Sequence, residues 1–148
     1  MIRFATRYDI PRLYEIVTAY SKEYPISTLG KDHFNVPKYL HEFLFSIIQG
    51  RGFILIDKHM TGALIAIKQQ NIWCPDVVEL HELLWWVERE HRNTTVGGKL
   101  WIEYDKIASR MLANGEINCA YTSVSAKGPL INYIKRSYKA VGASFVKE

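Results

Sequence analysis

The feature that most constrains the fold of this sequence is an apolar strand that runs through a glycine-containing turn into an amphipathic helix. Residues 78–87 are rich in Leu and Trp, and residues 88–98 form a polar turn that ends in two adjacent glycines. Over residues 98–113 apolar side chains recur at intervals of three and four, which is the spacing of one helix face. Strand and helix bury their apolar surfaces against each other, so this segment predicts a sheet covered by helices.

The rest of the chain predicts further elements around this unit. Residues 2–6 alternate as a strand, and Asp9 with Pro11 marks the start of a helix behind it. Two apolar runs, 53–56 and 63–67, flank a polar segment suited to a hairpin turn, so we expect them to pair antiparallel. The remaining expected elements are a helix over 38–49, a strand over 117–124, a helix over 129–140 and a short strand over 144–146.

The order of these elements predicts the fold class. Strand, two helices, three strands, helix, strand, helix and strand indicate an α/β (α+β) domain, whose mixed, mostly antiparallel sheet has helices on both faces. We expect the strand over residues 78–87 at the centre of that sheet. No linker or repeat divides the chain, so residues 1–148 are expected to form one domain.

Composition limits the class of protein. Of the 148 residues 48% are hydrophobic and 23% are charged, as is typical of a folded domain. The sequence shows neither a signal sequence nor an apolar run long enough to cross a bilayer, so we expect a soluble, cytoplasmic protein without a membrane partner. Cys74 and Cys119 are too few for a disulfide framework and lack the spacing of metal ligands, so no metal is expected. The net charge of +4 mildly favours an anionic partner.

The glycine-containing turn has the chemistry of an anion site. Glycines between a strand and a helix let backbone N–H groups approach an anion closely, and the helix N-terminus adds a partial positive charge at the same place. Arg92 and Lys99 flank the turn and carry donors for charge-assisted hydrogen bonds. The turn therefore predicts a site for a pyrophosphate group.

This turn resembles the coenzyme A loop of the Gcn5-related N-acetyltransferases, which reads Arg/Gln-x-x-Gly-x-Gly/Ala after a strand. Arg92 and Gly97 match the ends of that motif, and Thr95 stands where its middle glycine is usual. Residues 2–6 with Asp9 look like the family's opening strand and first helix. Residues 137–145 look like its Tyr-x-x-x-Gly-Phe segment with two residues inserted, which places Tyr138 at the family's tyrosine. The resemblance implies the acyl-CoA N-acyltransferase fold.

The resemblance also implies an activity: direct transfer of an acetyl group from acetyl-CoA to an amine on a small molecule or a protein. A backbone N–H near Trp86 or Val87 would polarise the thioester carbonyl, and Tyr138 would protonate the leaving sulfur. The loop over residues 20–37, with Tyr24, His33 and Phe34, lies where the family shapes its acceptor pocket. Pyrophosphate would lie among Arg92 and the N–H groups of Thr95, Val96, Gly97, Gly98 and Lys99.

The strand before the turn offers candidate bases for the amine proton. His81 lies six residues before Val87, at a position from which many family members present a base, so we rank it first. Glu79 shares its face because side chains alternate along a strand, and it ranks second. Glu82 points to the opposite face and ranks third.

Three further readings stay open on the sequence. The departures from the motif at Thr95 and at Ile131, where the family often has an asparagine, also fit a catalytically inactive binding module of the same fold. Net charge and aromatic content fit a nucleic-acid-associated protein of that fold. The chain stops near Phe145 without room for the family's usual final strand, so that strand is either absent or supplied by a second subunit in a homodimer.

Overall fold

The computed structural model describes residues 1–26, 37–124 and 131–148. Its regular elements include five strands and three α-helices, and a short 3₁₀ turn precedes the first and the third of these helices. In chain order the elements are β1 (Ile2–Phe4), α1 (Ile10–Glu23), α2 (Pro37–Ser46), β2 (Gly52–Asp57), β3 (Gly62–Gln70), β4 (Val78–Val87), α3 (Val96–Ala113) and β5 (Cys119–Tyr121). None of the helices in these residues is long and apolar enough to cross a membrane.

The strands form one mixed sheet in the order β1-β2-β3-β4-β5. The first four strands pair antiparallel with their neighbours, and β5 pairs parallel to β4. The predicted mixed, mostly antiparallel sheet is therefore confirmed. The predicted position of β4 is wrong, because β3 is the central strand: β1 and β2 both lie on its other side.

Helices cover both faces of this sheet, as the element order predicts. One core lies between the sheet and the helices α1 and α2, and the other lies between the sheet and α3. The largest fully buried side chains of the first core are Ile10, Leu13, Ile16, Leu44, Ile47, Ile54 and Ile56. Those of the second core are Trp101, Tyr104, Leu55, Leu64 and Leu80.

A β-bulge interrupts β4. Glu82 pairs with Ala66 and Leu84 pairs with Ile65, so Leu83 has no partner on β3. An extra residue reverses which face the following side chains occupy. Trp85 accordingly packs in the α3 core and Trp86 in the α1 and α2 core, as the sequence predicts for this pair.

The β2–β3 hairpin is buried and closely packed. The buried carboxylate of Asp57 closes its turn by accepting hydrogen bonds from the N–H groups of Thr61 at 2.7 Å and Gly62 at 2.8 Å. At Gly52 a Cβ atom would lie 2.0 Å from the carbonyl oxygen of Ala66, so only glycine fits there. The predicted antiparallel hairpin is confirmed.

Asp9 stands at the start of α1 as predicted, but its carboxylate caps the preceding turn. It accepts a hydrogen bond from the Thr6 N–H at 2.7 Å and pairs with both terminal nitrogens of Arg3 at 2.8 and 2.9 Å. The hydrogen bond from Arg3 is the main reason that the pKa of Asp9 falls to about 2. This side chain ties β1 to the entrance of α1.

The C-terminal predictions are wrong where the structure describes them. Instead of a helix through residue 140, residues 131–148 contain one 3₁₀ turn, Ile134–Arg136, and Ser137 has φ +66°. The expected strand over 144–146 is absent from this segment, where Phe145 is 96% exposed. Side-chain contacts hold the beginning of this segment against α3, where Tyr138 bonds to Asp105 and packs on Trp101. The second subunit proposed to supply a final strand stays a prediction.

Candidate active site

The strands β4 and β5 part from each other partway along β4. Their pairing in the described residues consists of Glu79↔Cys119, Leu80↔Ala120 and His81↔Tyr121. On its other side β4 pairs with β3 as far as Val87. The second half of β4 therefore has one edge bonded to β3 and one edge facing a gap, which we call the strand gap.

The hydrogen-bond pattern shows which backbone groups face the strand gap. The Glu88 N–H donates to the Thr61 carbonyl at 2.8 Å, and alternate residues of an antiparallel strand point the same way. Trp86, which pairs with Ala63, therefore directs its N–H to β3, and Val87 directs its N–H to the gap. Of the two residues predicted to polarise a carbonyl, Val87 has the donor on the open side.

The first turn of α3 lies at the same end of β4. The Lys99 N–H donates to the Thr95 carbonyl at 3.0 Å and begins the helix ladder. The N–H groups of Gly97 and Gly98 have no acceptor among the described residues, as expected for a helix start. Thr95 has φ −82°, a backbone conformation that any residue adopts, so its replacement of the family's glycine causes no strain. Trp85 fixes this turn to β4, because its Nε1–H donates to the Gly97 carbonyl at 3.1 Å.

The two predicted basic side chains, Arg92 and Lys99, differ in their contacts. Arg92 donates to the Val87 carbonyl at 2.8 Å and to the Glu23 carboxylate at 2.7 Å, which ties the turn to the end of α1. The side chain of Lys99 lines a shallow groove beside β1 with four other residues. These residues are Ile2, Ile102, Glu103 and Lys106. The donors that the structure places at the turn are the N–H groups of the helix start, and direct contacts of Arg92 and Lys99 with pyrophosphate stay predictions.

His81 and Glu79 form a hydrogen-bonded pair at the last residues before the strand gap. The Nε2 atom of His81 lies 2.7 Å from the Glu79 carboxylate, which also accepts a hydrogen bond from Asn71. Hydrogen bonds from Asn71 and then His81 lower the pKa of the buried Glu79. The His81 ring stacks on Tyr121 with 4.4 Å between ring centroids. Because the carboxylate orients the ring through Nε2, Nδ1 is left as the basic nitrogen.

Glu82 bridges the start of the strand gap. Its carboxylate accepts a hydrogen bond from the Thr122 hydroxyl at 2.5 Å and lies beside the Ser123 N–H. Burial raises the pKa of Glu82 to about 7. The predicted opposite orientation of Glu82 relative to Glu79 and His81 agrees with these contacts. Its partners were missed by the sequence analysis, since nothing local to Glu82 indicates the register of β5.

Tyr138 packs over α3. Its hydroxyl donates to the Asp105 carboxylate at 3.1 Å, and its ring lies 5.7 Å from that of Trp101. Burial first, then the charge of Asp105, raises its pKa, so the hydroxyl keeps its proton. Arg136 contacts the other oxygen of Asp105 at 3.1 Å. The predicted proton donor is thus protonated but points to Asp105.

The predicted acceptor loop is described only in part. Of the acceptor loop, Tyr24 lies just after α1 with its ring 5.4 Å from that of Tyr20, whereas His33 and Phe34 lie outside the described residues. No cluster of three or more His, Cys, Asp or Glu side chains suited to a metal occurs in the described part of the chain.

Comparison with known proteins identifies the architecture. No family model matches the sequence, and no curated protein sequence matches it. A predicted acetyltransferase with acetyl-CoA from Clostridium acetobutylicum superposes with a TM-score of 0.70 at 11% identity, covering 100% of this chain and 95% of that one. A GNAT family acetyltransferase from Staphylococcus aureus gives 0.62 at 14% identity, covering 100% and 97%.

A third similar structure is an aminoglycoside acetyltransferase from an uncultured soil metagenomic sample, in complex with sisomicin. It superposes with a TM-score of 0.59 at 10% identity, covering 100% of this chain and 96% of that one. Sequence identities this low carry no information about substrate, but the superpositions span the whole length of this chain. The chain therefore has the fold of the Gcn5-related N-acetyltransferases.

Proposed function

We propose that this protein is an N-acetyltransferase that transfers an acetyl group directly from acetyl-CoA to an amine. The observation that carries the proposal is the strand gap with the first turn of α3 at its end. The gap presents the Val87 N–H, and the turn presents the N–H groups of Gly97 and Gly98. Both sets of donors lie on one continuous path along β4.

The two ends of this path suit the two ends of an acyl-pantetheine pyrophosphate. N–H groups at a helix start bind phosphate oxygens, where the helix dipole favours negative charge. An unpaired strand edge offers hydrogen bonds to the amides of an extended chain, as in β-strand addition. The Val87 N–H is the donor for the thioester oxygen, which gains negative charge as the carbonyl carbon is attacked.

The chemistry needs one base and one acid. The amine nitrogen attacks the thioester carbonyl carbon, the carbon–sulfur bond breaks, and the amine loses one proton. His81, held by Glu79 through Nε2, accepts that proton at Nδ1. Tyr138 supplies a proton to the departing sulfur once its hydroxyl leaves Asp105. The acceptor is an amine on a small molecule, with a protein amine as the alternative.

Isothermal calorimetry with acetyl-CoA tests the first step. We expect saturable binding, and no heat at millimolar cofactor would end the proposal. Glu116→Ala removes an exposed charge beyond the end of α3 and should leave binding unchanged.

Steady-state kinetics with a panel of amines test the second step. Tyr138→Phe and His81→Gln should each lower kcat about 100-fold or more, in line with the loss of an acid or base, while the Kd for acetyl-CoA stays within about twofold. Unchanged kcat in either variant would remove that residue from the mechanism.

A further inference from the structure

Glu82 occupies a position that the proposed chemistry does not use. It is the first β4 residue beyond the last β4–β5 pair, His81↔Tyr121. Its side chain reaches Thr122 and Ser123, the first residues beyond the same pair on the β5 side. One side chain therefore joins the two strands at the point where their backbones separate.

The contact continues into the core beneath α3. The Thr122 hydroxyl donates to Glu82 at 2.5 Å and accepts a hydrogen bond from Trp101 Nε1 at 3.2 Å. Trp101 is 1% exposed and packs at the centre of α3. A hydroxyl that donates once and accepts once has a fixed orientation, so the bridge is anchored to rigid structure.

The surroundings of Glu82 are neutral. Four tyrosines from three elements lie close enough to feel its charge. They are Tyr20 of α1, Tyr104 of α3, and Tyr133 and Tyr138 of the C-terminal segment. None of the Lys, Arg or His side chains in the described ranges forms an ion pair with Glu82. A half-buried carboxylate without a counter-ion does not stabilise the fold through charge pairing, so a local geometric role explains it better.

We propose that Glu82 is a positioning residue whose hydrogen bond from Thr122 sets the place and width at which β4 and β5 part. The inference rests on the proposed function in one respect, because the gap that Glu82 sets is the one that would receive the acyl chain. Glu82 acts through the strands and does not itself touch the acceptor amine. A change in the gap shifts the unpaired β4 edge relative to the turn at Gly97 and Gly98.

Binding measurements test the bridge through its two ends. Glu82→Ala and Thr122→Val should each raise the Kd for acetyl-CoA roughly tenfold. The double variant should also raise this Kd by no more than roughly tenfold, because both substitutions remove the same bridge. Thr122→Ser keeps the hydroxyl and should bind as the wild type does. Additive losses in the double variant, or unchanged binding in the single ones, would overturn the proposal.

Amide hydrogen exchange tests the same bridge without any cofactor. The Ser123 N–H should exchange roughly tenfold faster in Glu82→Ala than in the wild type, since the bridge that holds the end of β5 against β4 is gone. Glu116→Ala is the matched charge control and should not change it. If the wild type binds no acetyl-CoA, the proposed function fails while this measurement still decides the bridge: unchanged exchange overturns it.

A direct catalytic role for Glu82 gives a different pattern. A base that accepts the amine proton would make Glu82→Gln lower kcat sharply while Kd and the exchange of Ser123 stay unchanged. That outcome would overturn the positioning role. The positioning role requires Kd and exchange to move together.

Discussion

The two edges of β4 differ in how far their backbone groups are paired with a neighbouring strand. Towards β3, partners follow from Gly62↔Val87 to Gln70↔Val78, interrupted only at the bulge. Towards β5, pairing in the described residues ends at His81↔Tyr121. Buried backbone groups need partners, which the first edge has along its whole length and the second has only at its beginning among the described residues. The contrast separates the paired edge of β4 from the edge at which we propose that acetyl-CoA binds.

The paired side should tolerate the least change. Gly52→Ala places a Cβ atom 2.0 Å from the Ala66 carbonyl oxygen and 2.7 Å from Ile67 Cα, both backbone atoms that cannot rotate away. We expect a loss of about 3 kcal/mol or more in the free energy of unfolding, or failure to fold. Thermal unfolding followed by circular dichroism measures it. A Tm equal to that of the wild type would show that β2 and β3 are less closely packed than described.

An intermediate effect is expected at the start of the strand gap, where the side chain of Glu82 is half-buried. Glu82→Gln should raise stability by about 1 to 3 kcal/mol at about pH 8.5 and leave it nearly unchanged at about pH 5. Denaturant unfolding at the two pH values measures the difference. Equal effects at both would mean that Glu82 is solvated.

The sign follows from the pKa of Glu82. Its ordinary value of 4.5 rises to about 7 in the folded protein, chiefly because of burial. Below 4.5 the folded and unfolded states both hold the proton, and between these values only the folded state does. The stability that protonation contributes is therefore complete at low pH and is lost as the pH rises through about 7. Glutamine, which never ionises, escapes this loss.

The smallest effect is expected at the turn that faces the strand gap. Gly98 has open space where a Cβ atom would lie and sits in the first turn of α3. Gly98→Ala should raise the unfolding free energy by about 0.5 kcal/mol, because alanine loses less backbone entropy in a helix. The Kd for acetyl-CoA should stay within about twofold, since the N–H group is retained. Calorimetry and thermal unfolding on the same sample check both. A large loss of stability would contradict the contrast with Gly52.

Elements with a strong local pattern were predicted well. The bounds of β4 agree with the apolar run, and α3 begins two residues before the expected start at Gly98. The helix predicted over residues 129–140 is wrong, because the described residues from 131 onward hold only the 3₁₀ turn Ile134–Arg136. There Tyr138 and Arg136 both bind Asp105, and Tyr138 packs on Trp101, so tertiary contacts decide the local conformation. Helix propensity in a short segment is weak against such contacts.

The candidate site divides in the same way. The glycine-containing turn and the pairing of Glu79 with His81 were predictable, because each depends on residues close in the sequence and on strand alternation. The engagement of Arg92 by Glu23 was not predictable, since these residues lie 69 positions apart. The same is true of the preference for the Val87 N–H over that of Trp86, which depends on the register of β3.

By itself the sequence determined most of the segments that become strands and helices and the place of the glycine-containing turn before α3. Periodicity and turn chemistry act over a few residues, so they can be read from the chain. Only the tertiary structure decided that β3 is central, that β4 and β5 part after His81, and that Glu82 meets Thr122 across 40 positions. Strand partners are chosen by the packing of the whole sheet against both helical layers, and no local pattern records that choice.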